Sequence, residues 1–139
     1  MKVLLASDHA GYALKEKLLK SDLAEWVDMG PDSDARVDYP DFAHKACKAL
    51  LAGKADYAVM ICGSGQGMAM AANKHKGIRA ALCWSEEIAS LAKEHNNANV
   101  LCLASRFVSE SEAVNICKAF FAAKFEGGRH LQRVEKIEV

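Results

Sequence analysis

The chain has 139 residues, 51% hydrophobic and 26% charged, with 18 Lys plus Arg balanced by 18 Asp plus Glu. That size suits one domain, residues 1–139, with a real core. The zero net charge gives no footing for nucleic acid or for an anionic membrane surface, so any anion site must be built locally from a few side chains.

The chain opens on an apolar run, Val3–Ala6, that reads as a buried strand. It meets a charge at Asp8, too early for a signal peptide, and no later stretch could span a bilayer. Tyr12–Leu23 carries Leu14, Leu18 and Leu19 at helical spacing. Trp26–Met29 is a short second strand, Gly30–Tyr39 a polar loop, and Asp41–Leu51 a helix ending near Gly53. Tyr57–Ile61 is a third strand, followed at once by CGSGQG. Met68–Lys74 is a small-residue helix and Arg79–Leu82 a fourth strand. Ser85–Glu94 is a helix with Ser85 to cap it and Glu86 and Glu87 at its positive end. Val100–Leu103 is a fifth strand, Ser109–Phe125 a last long helix, and Gly127–Val139 a tail.

Strands alternating with helices predict an α/β fold with a parallel sheet covered on both faces and right-handed crossovers. Ligands of such sheets bind beyond the carboxyl ends of the strands. That rule selects Ser7–Gly11, the Gly30–Asp41 loop, Cys62–Gly67 and Ala104–Arg106.

Among these, Cys62-Gly63-Ser64-Gly65-Gln66-Gly67 carries the strongest signal. Alternating glycines let the backbone turn sharply and present successive N–H groups, and the following helix adds its positive end. Either an anion or a thiolate at Cys62 would be stabilised there. The loop is a poor dinucleotide fingerprint, since Met68 stands where a third glycine is needed, and no Gly-Lys-Ser/Thr follows to make a Walker loop. Asp8 and His9 face the same crevice, where Asp8 could instead cap the first helix. His95-Asn96-Asn97 ends the fourth helix, which admits an acid–base role or simple capping. In RHLQR, Arg129 and Arg133 share a face if the tail is helical, a pairing that suits a phosphate or a solvated basic surface. Arg106 is a third cationic candidate.

The five cysteines include no CxxC pair, which argues against a disulfide framework or a zinc site and for a reduced, cytoplasmic protein. Cys47, Cys83, Cys102 and Cys117 fall in apolar patterns and are expected in the core. His44 and His75 lie in Lys-rich stretches and are expected to face solvent. No His/Cys/Asp spacing resembles a metal site.

Taken in order, SDHAG, VDYPD, ICGSGQGMAMAANK, GIRAALC, HNNANVL and FEGGRHLQRV resemble the type B ribose-5-phosphate isomerase family, which also holds allose-6-phosphate and galactose-6-phosphate isomerases. The resemblance runs along nearly the whole chain. It implies a three-layer α/β/α sandwich with a five-stranded, Rossmann-like parallel sheet. It implies a homodimer or tetramer with active sites at subunit interfaces, and an aldose–ketose isomerisation with no metal or coenzyme. It gives Cys62 the C2 proton and gives Gly63, Ser64, Gly65, Gln66 and Gly67 the enediolate, with Ser64 also exchanging protons between O1 and O2. Asp8 and His95 would open the furanose ring. His9, Arg106, Arg129 and Arg133 would hold phosphate, Asn96 a hydroxyl, and Tyr39 would line the pocket.

Ser64 stands where many members have Thr, keeping the hydroxyl. Gln66 replaces a small apolar residue, and Ala104 replaces a common Gly. Met68 occupies the position where one branch of the family places a carboxylate base, which favours Cys62. The competing expectations are a 6-phosphohexose isomerase of the same mechanism and, from another class, a non-catalytic phosphate- or nucleotide-binding module.

Overall fold

The computed structural model describes residues 1–139. Five strands, β1 (Lys2–Ser7), β2 (Glu25–Asp28), β3 (Tyr57–Cys62), β4 (Ala80–Leu82) and β5 (Val100–Ala104), form one all-parallel sheet in the order β2-β1-β3-β5-β4. The helices are α1 (Tyr12–Leu19), α2 (Tyr39–Leu51), α3 (Gln66–Ala72), α4 (Glu86–Asn96), α5 (Glu110–Ala122) and α6 (Arg129–Glu135).

Alternation along β1 sends Val3 and Leu5 to one face and Leu4 and Ala6 to the other. The first face packs on α1, α4 and α5 through Leu14, Leu18, Ala89, Ile116 and Phe120. The second packs on α2 and α3 through Ala43, Ala46, Leu50 and Met68. The central strands β1, β3 and β5 are apolar on both faces, as a doubly covered parallel sheet requires. The three-layer α/β/α sandwich with a five-stranded parallel sheet is therefore observed as expected.

Several boundaries differ from the sequence reading. Helix α1 stops at Leu19 rather than Leu23, because Ser21 turns back: its Oγ donates to the Leu18 carbonyl at 2.6 Å and accepts from Trp26 Nε1 at 3.1 Å. Helix α2 begins at Tyr39, with Pro40 in its first turn, where a proline fits because the missing N–H has no partner there. Helix α5 ends at Ala122, short of Phe125. The tail contains α6, anchored by the buried His130 and packed against α4.

His44 and His75 are not simply solvent-facing. They are half-buried between α2 and the end of α3, with His44 Nδ1 2.7 Å from His75 Nε2. Lys15 of α1 is fully buried and pairs with Asp28 at 2.7 Å and Glu16 at 3.2 Å.

Candidate active site

The strand order makes β1 and β3 neighbours, with the chain leaving them toward opposite edges of the sheet. Their carboxyl ends thus flank a topological switch point, where open parallel sheets place ligands. Asp8 follows β1 and Cys62 ends β3, and the two strand ends are joined by the Asp8 amide donating to the Ile61 carbonyl at 3.1 Å. Ser105, just past β5, ties the third strand in, its N and Oγ donating to the Cys62 carbonyl at 2.9 and 3.2 Å.

Cys62 is 4% exposed, while the other four cysteines are fully buried and none is in a disulfide. Burial pushes the Cys47 thiol up to about 11 and those of Cys83 and Cys117 to about 12, and burial, then its cysteine neighbours, raises Cys102 well above the ordinary thiol range. These four are inert core thiols, as their apolar sequence patterns predict. Cys62 differs by position, because a strand's carboxyl end delivers it to the glycine turn.

The turn is built tightly. Gly65 takes the N-cap of α3 at φ +75°, and no side chain caps the helix. A Cβ there would collide with Leu82 Cδ1 and press on the Leu103 carbonyl, so only glycine fits. The Gln66 amide donates to Ser64 Oγ at 3.3 Å. The remaining first-turn amides of α3 have no intrahelical acceptor and are available to a ligand. The Arg106 guanidinium overhangs Gly63, and the Tyr39 ring lies across Gly67, so close that a Cβ at 67 would come within 2.5 Å of it.

One oxygen of Asp8 accepts from the Gly11 amide at 2.9 Å, so the capping reading holds for that oxygen. His9 Nδ1 lies 3.3 Å from both the N and O of Val37, which leaves Nε2 for another partner. Asp8, His9, Tyr39 and the 36–41 segment line a cleft of about 630 Å³. Arg36, absent from the sequence-based candidates, also lines it.

The remaining candidates lie at the other end of the sheet. Helix α4 runs back antiparallel to the strands and delivers His95 and Asn96 to their amino ends. The turn after it proves this placement: the Asn97 carbonyl accepts from Arg79 Nε just before β4, and the Asn99 carbonyl accepts from the Ala58 amide early in β3. With a rise of about 3.3 Å per residue, the length of β3 puts roughly 16 Å between these ends. Asn97 at φ +48° is the helix cap, and Asn96 is left on the last turn. Helix α6 places Arg129 and Arg133 on one exposed face, without an ion-pair partner, beside the end of α4.

One chain therefore brings together Cys62, the glycine turn, Asp8, His9, Tyr39 and Arg106. It gathers His95, Asn96, Arg129 and Arg133 separately.

A further group escaped the sequence reading. His95 stacks on His130, with centroids 4.2 Å apart and planes within 12°. The Glu126 carboxylate reaches both rings, at 3.9 Å from His95 Nε2 and 3.5 Å from His130 Nε2. The four-residue spacing of Glu126 and His130 was the available signal, but the tail had no assigned conformation and His95 is remote in sequence.

A thiol, a carboxylate and an uncapped glycine turn at the switch point of a parallel sheet place the molecule among α/β enzymes acting on small anionic substrates. The chain belongs to the Ribose/Galactose Isomerase family, whose model matches residues 3–137. It is 50% identical to a probable ribose-5-phosphate isomerase B of Mycoplasma genitalium, over 97% of this chain and 92% of that protein. It is 40% identical to ribose-5-phosphate isomerase B of Escherichia coli, over 98% and 93%. The fold matches the crystal structure of a ribose-5-phosphate isomerase from Thermotoga maritima with a TM-score of 0.95 and 44% identity, covering 99% and 97% of the two chains. It also matches the M. genitalium enzyme solved with bound ribulose-5-phosphate, at a TM-score of 0.89 and 49% identity, over 98% and 93%.

Proposed function

We infer that this isomerase interconverts ribose-5-phosphate and ribulose-5-phosphate through an enediolate, with Cys62 as the base. The observation that carries the reading is the seat of Cys62: the end of a central strand, against a glycine turn whose helix start is left uncapped. A proton on carbon beside a carbonyl is weakly acidic. Its removal needs a poised base and donors aimed at the oxygen that becomes negative, each such donor contributing about 3–4 kcal/mol when tested by removal.

Cys62 takes the C2 proton of the open-chain aldose and returns it to C1. The amides of Gly63–Gly67 stabilise the enediolate, and the Ser64 hydroxyl carries the proton between O1 and O2. Asp8, with one oxygen fixed by Gly11, and His95 open the furanose ring. His9, Arg106, Arg129 and Arg133 bind the phosphate, which holds the reacting carbons in place from a distance. Asn96 binds a sugar hydroxyl and Tyr39 walls the cleft.

These roles call for a homodimer, because His95, Asn96, Arg129 and Arg133 lie a sheet's length from Cys62 in their own chain. A second copy, docked so that its α4–α6 end meets the Cys62 end, completes the site. Two large apolar side chains beside that end support such docking: Trp84, 62% exposed, and Phe107, 75% exposed. Five unpaired cysteines fit a reducing compartment such as the cytoplasm. No helix is long and apolar enough to cross a membrane.

The test is an isomerase assay on ribose-5-phosphate, allose-6-phosphate and galactose-6-phosphate with the wild type and Cys62→Ala. Ribose-5-phosphate is expected to turn over fastest, and the variant to fold normally yet lose activity by several orders of magnitude. Near-normal turnover by Cys62→Ala would remove the thiol from the mechanism. Faster turnover of a hexose phosphate would reassign the substrate.

A further inference from the structure

We propose that His95, Glu126 and His130 form a binding site for a divalent transition-metal cation of the Zn²⁺ type at the junction of α4 and α6. Two imidazoles and a carboxylate are the nitrogen and oxygen donors that such cations prefer. Their ligand atoms all lie within 4.8 Å of one another. In a tetrahedral zinc site with bonds of about 2.0–2.1 Å, donors stand about 3.4 Å apart. The widest pair must therefore close by no more than about 1.4 Å, a shift that side-chain rotation provides.

The groups that must move are the ones free to do so. The side chains of His95 and Glu126 are 37% and 52% exposed, whereas His130, at 9%, is the fixed anchor. A cation must lie in the plane of each imidazole that binds it, so His95 has to tilt off the parallel stack toward its exposed side. The backbone keeps the three residues assembled: the Glu126 amide donates to the Glu94 carbonyl at 3.0 Å, and the His130 amide to the Gly127 carbonyl at 2.9 Å. The first joins the tail to α4 next to His95, and the second starts α6. Three protein ligands leave one position open to water, the arrangement of an exchangeable site.

Occupancy would engage the His95 lone pair and so inhibit the isomerase. That consequence rests on the ring-opening role given to His95 above, whereas binding itself does not.

The experiment is titration of the full-length protein with Zn²⁺ by calorimetry and with Co²⁺ by visible absorption, alongside isomerase assays. One cation per chain is expected, with Co²⁺ bands free of thiolate charge transfer, in both wild type and Cys62→Ala. Outer-shell changes alone weaken metal sites by about 10–100-fold, so losing a ligand in Glu126→Gln or His95→Gln should weaken binding at least tenfold. Both residues are exposed enough for the variants to keep the fold, which circular dichroism checks. Unchanged affinity in both variants, or binding abolished by Cys62→Ala alone, overturns the site. Stoichiometric, Glu126-dependent binding with undiminished turnover supports the site and counts against the role of His95.

Discussion

The Arg106 guanidinium lies directly over Gly63, where a methyl group would stand 3.0 Å from Nη1 and 3.1 Å from Cζ. The same two residues are joined through the backbone, the Arg106 amide donating to the Gly63 carbonyl at 3.1 Å. The loop after β5 thus carries its cation onto the turn after β3. Gly63→Ala should leave the fold intact, since an exposed guanidinium can give way, but should displace that cation. The KM for ribose-5-phosphate is expected to rise several-fold with a smaller change in kcat. Unchanged steady-state kinetics would mean that Arg106 has no part in binding.

Gly65 and Gly53 share φ +75° but differ in surroundings: nothing lies within 4 Å of a Cβ at 53, while one at 65 meets Leu82 and the Leu103 carbonyl. Gly53→Ala should cost only the left-handed backbone, about 1 kcal/mol. Gly65→Ala adds overpacking, about 1–3 kcal/mol more, and distorts the turn beside Cys62. Urea unfolding of the pair isolates the packing contribution, and equal destabilisation would argue against this account. Isomerase activity should fall sharply in Gly65→Ala alone.

Thiol chemistry should single out Cys62. Burial holds Cys47, Cys83 and Cys117 at about 11 to 12 and raises Cys102 well above the ordinary thiol range, so none is a nucleophile near neutrality. Iodoacetamide at neutral pH should add one label per native chain, at Cys62, with loss of activity in proportion. Peptide mapping reads the site, and labelling of a core cysteine before Cys62 would contradict the assignment.

The His44–His75 pair should make stability pH-dependent. Burial, then the charges of His44 and Lys48, lower the pKa of His75 from its ordinary 6.5. A group lowered in the folded state adds stability that is complete above the unfolded pKa and lost as pH falls through the folded value. Denaturation midpoints should therefore decline below about pH 6.5. His75→Gln should flatten that decline, and an unaltered slope would show that the acid sensitivity arises elsewhere.

Mixing inactive variants tests how the site is shared. If each site takes Cys62 from one chain and His95 from another, a mixed dimer of Cys62→Ala and His95→Gln has one doubly damaged site and one intact site. Random reassociation of the two should then recover about a quarter of wild-type turnover, since half the dimers are mixed and half their sites intact. Recovery no greater than the sum of the parents would place all the groups of each site within one chain.

Much of this was readable beforehand, for local reasons. Apolar runs such as Val3–Ala6 and Tyr57–Ile61 are too short and too uniformly buried to be anything but central strands. Ser85 and Ser109 announce helix starts, and in each case the hydroxyl accepts a bond from an amide three residues on. Helix ends were less legible. Ser21 ends α1 by bonding to Trp26, a residue of the next strand, and no helical pattern encodes that. The pairing of His44 with His75 was hidden likewise, because lysine neighbours suggest solvent while the packing of α2 on α3 decides the outcome.

By itself, then, the sequence determined the alternation of strands and helices, the glycine turn after β3, and the delivery of Asp8 and Cys62 to the carboxyl end of the sheet. Those features depend on the periodicity and backbone freedom of neighbouring residues. Tertiary structure alone decided the strand order, the gathering of His95 with Glu126 and His130, and the separation of Cys62 from His95 by the length of the sheet. Those depend on which edge each strand joins and on how the tail packs against α4, and both are set by burial shared among residues far apart in the chain.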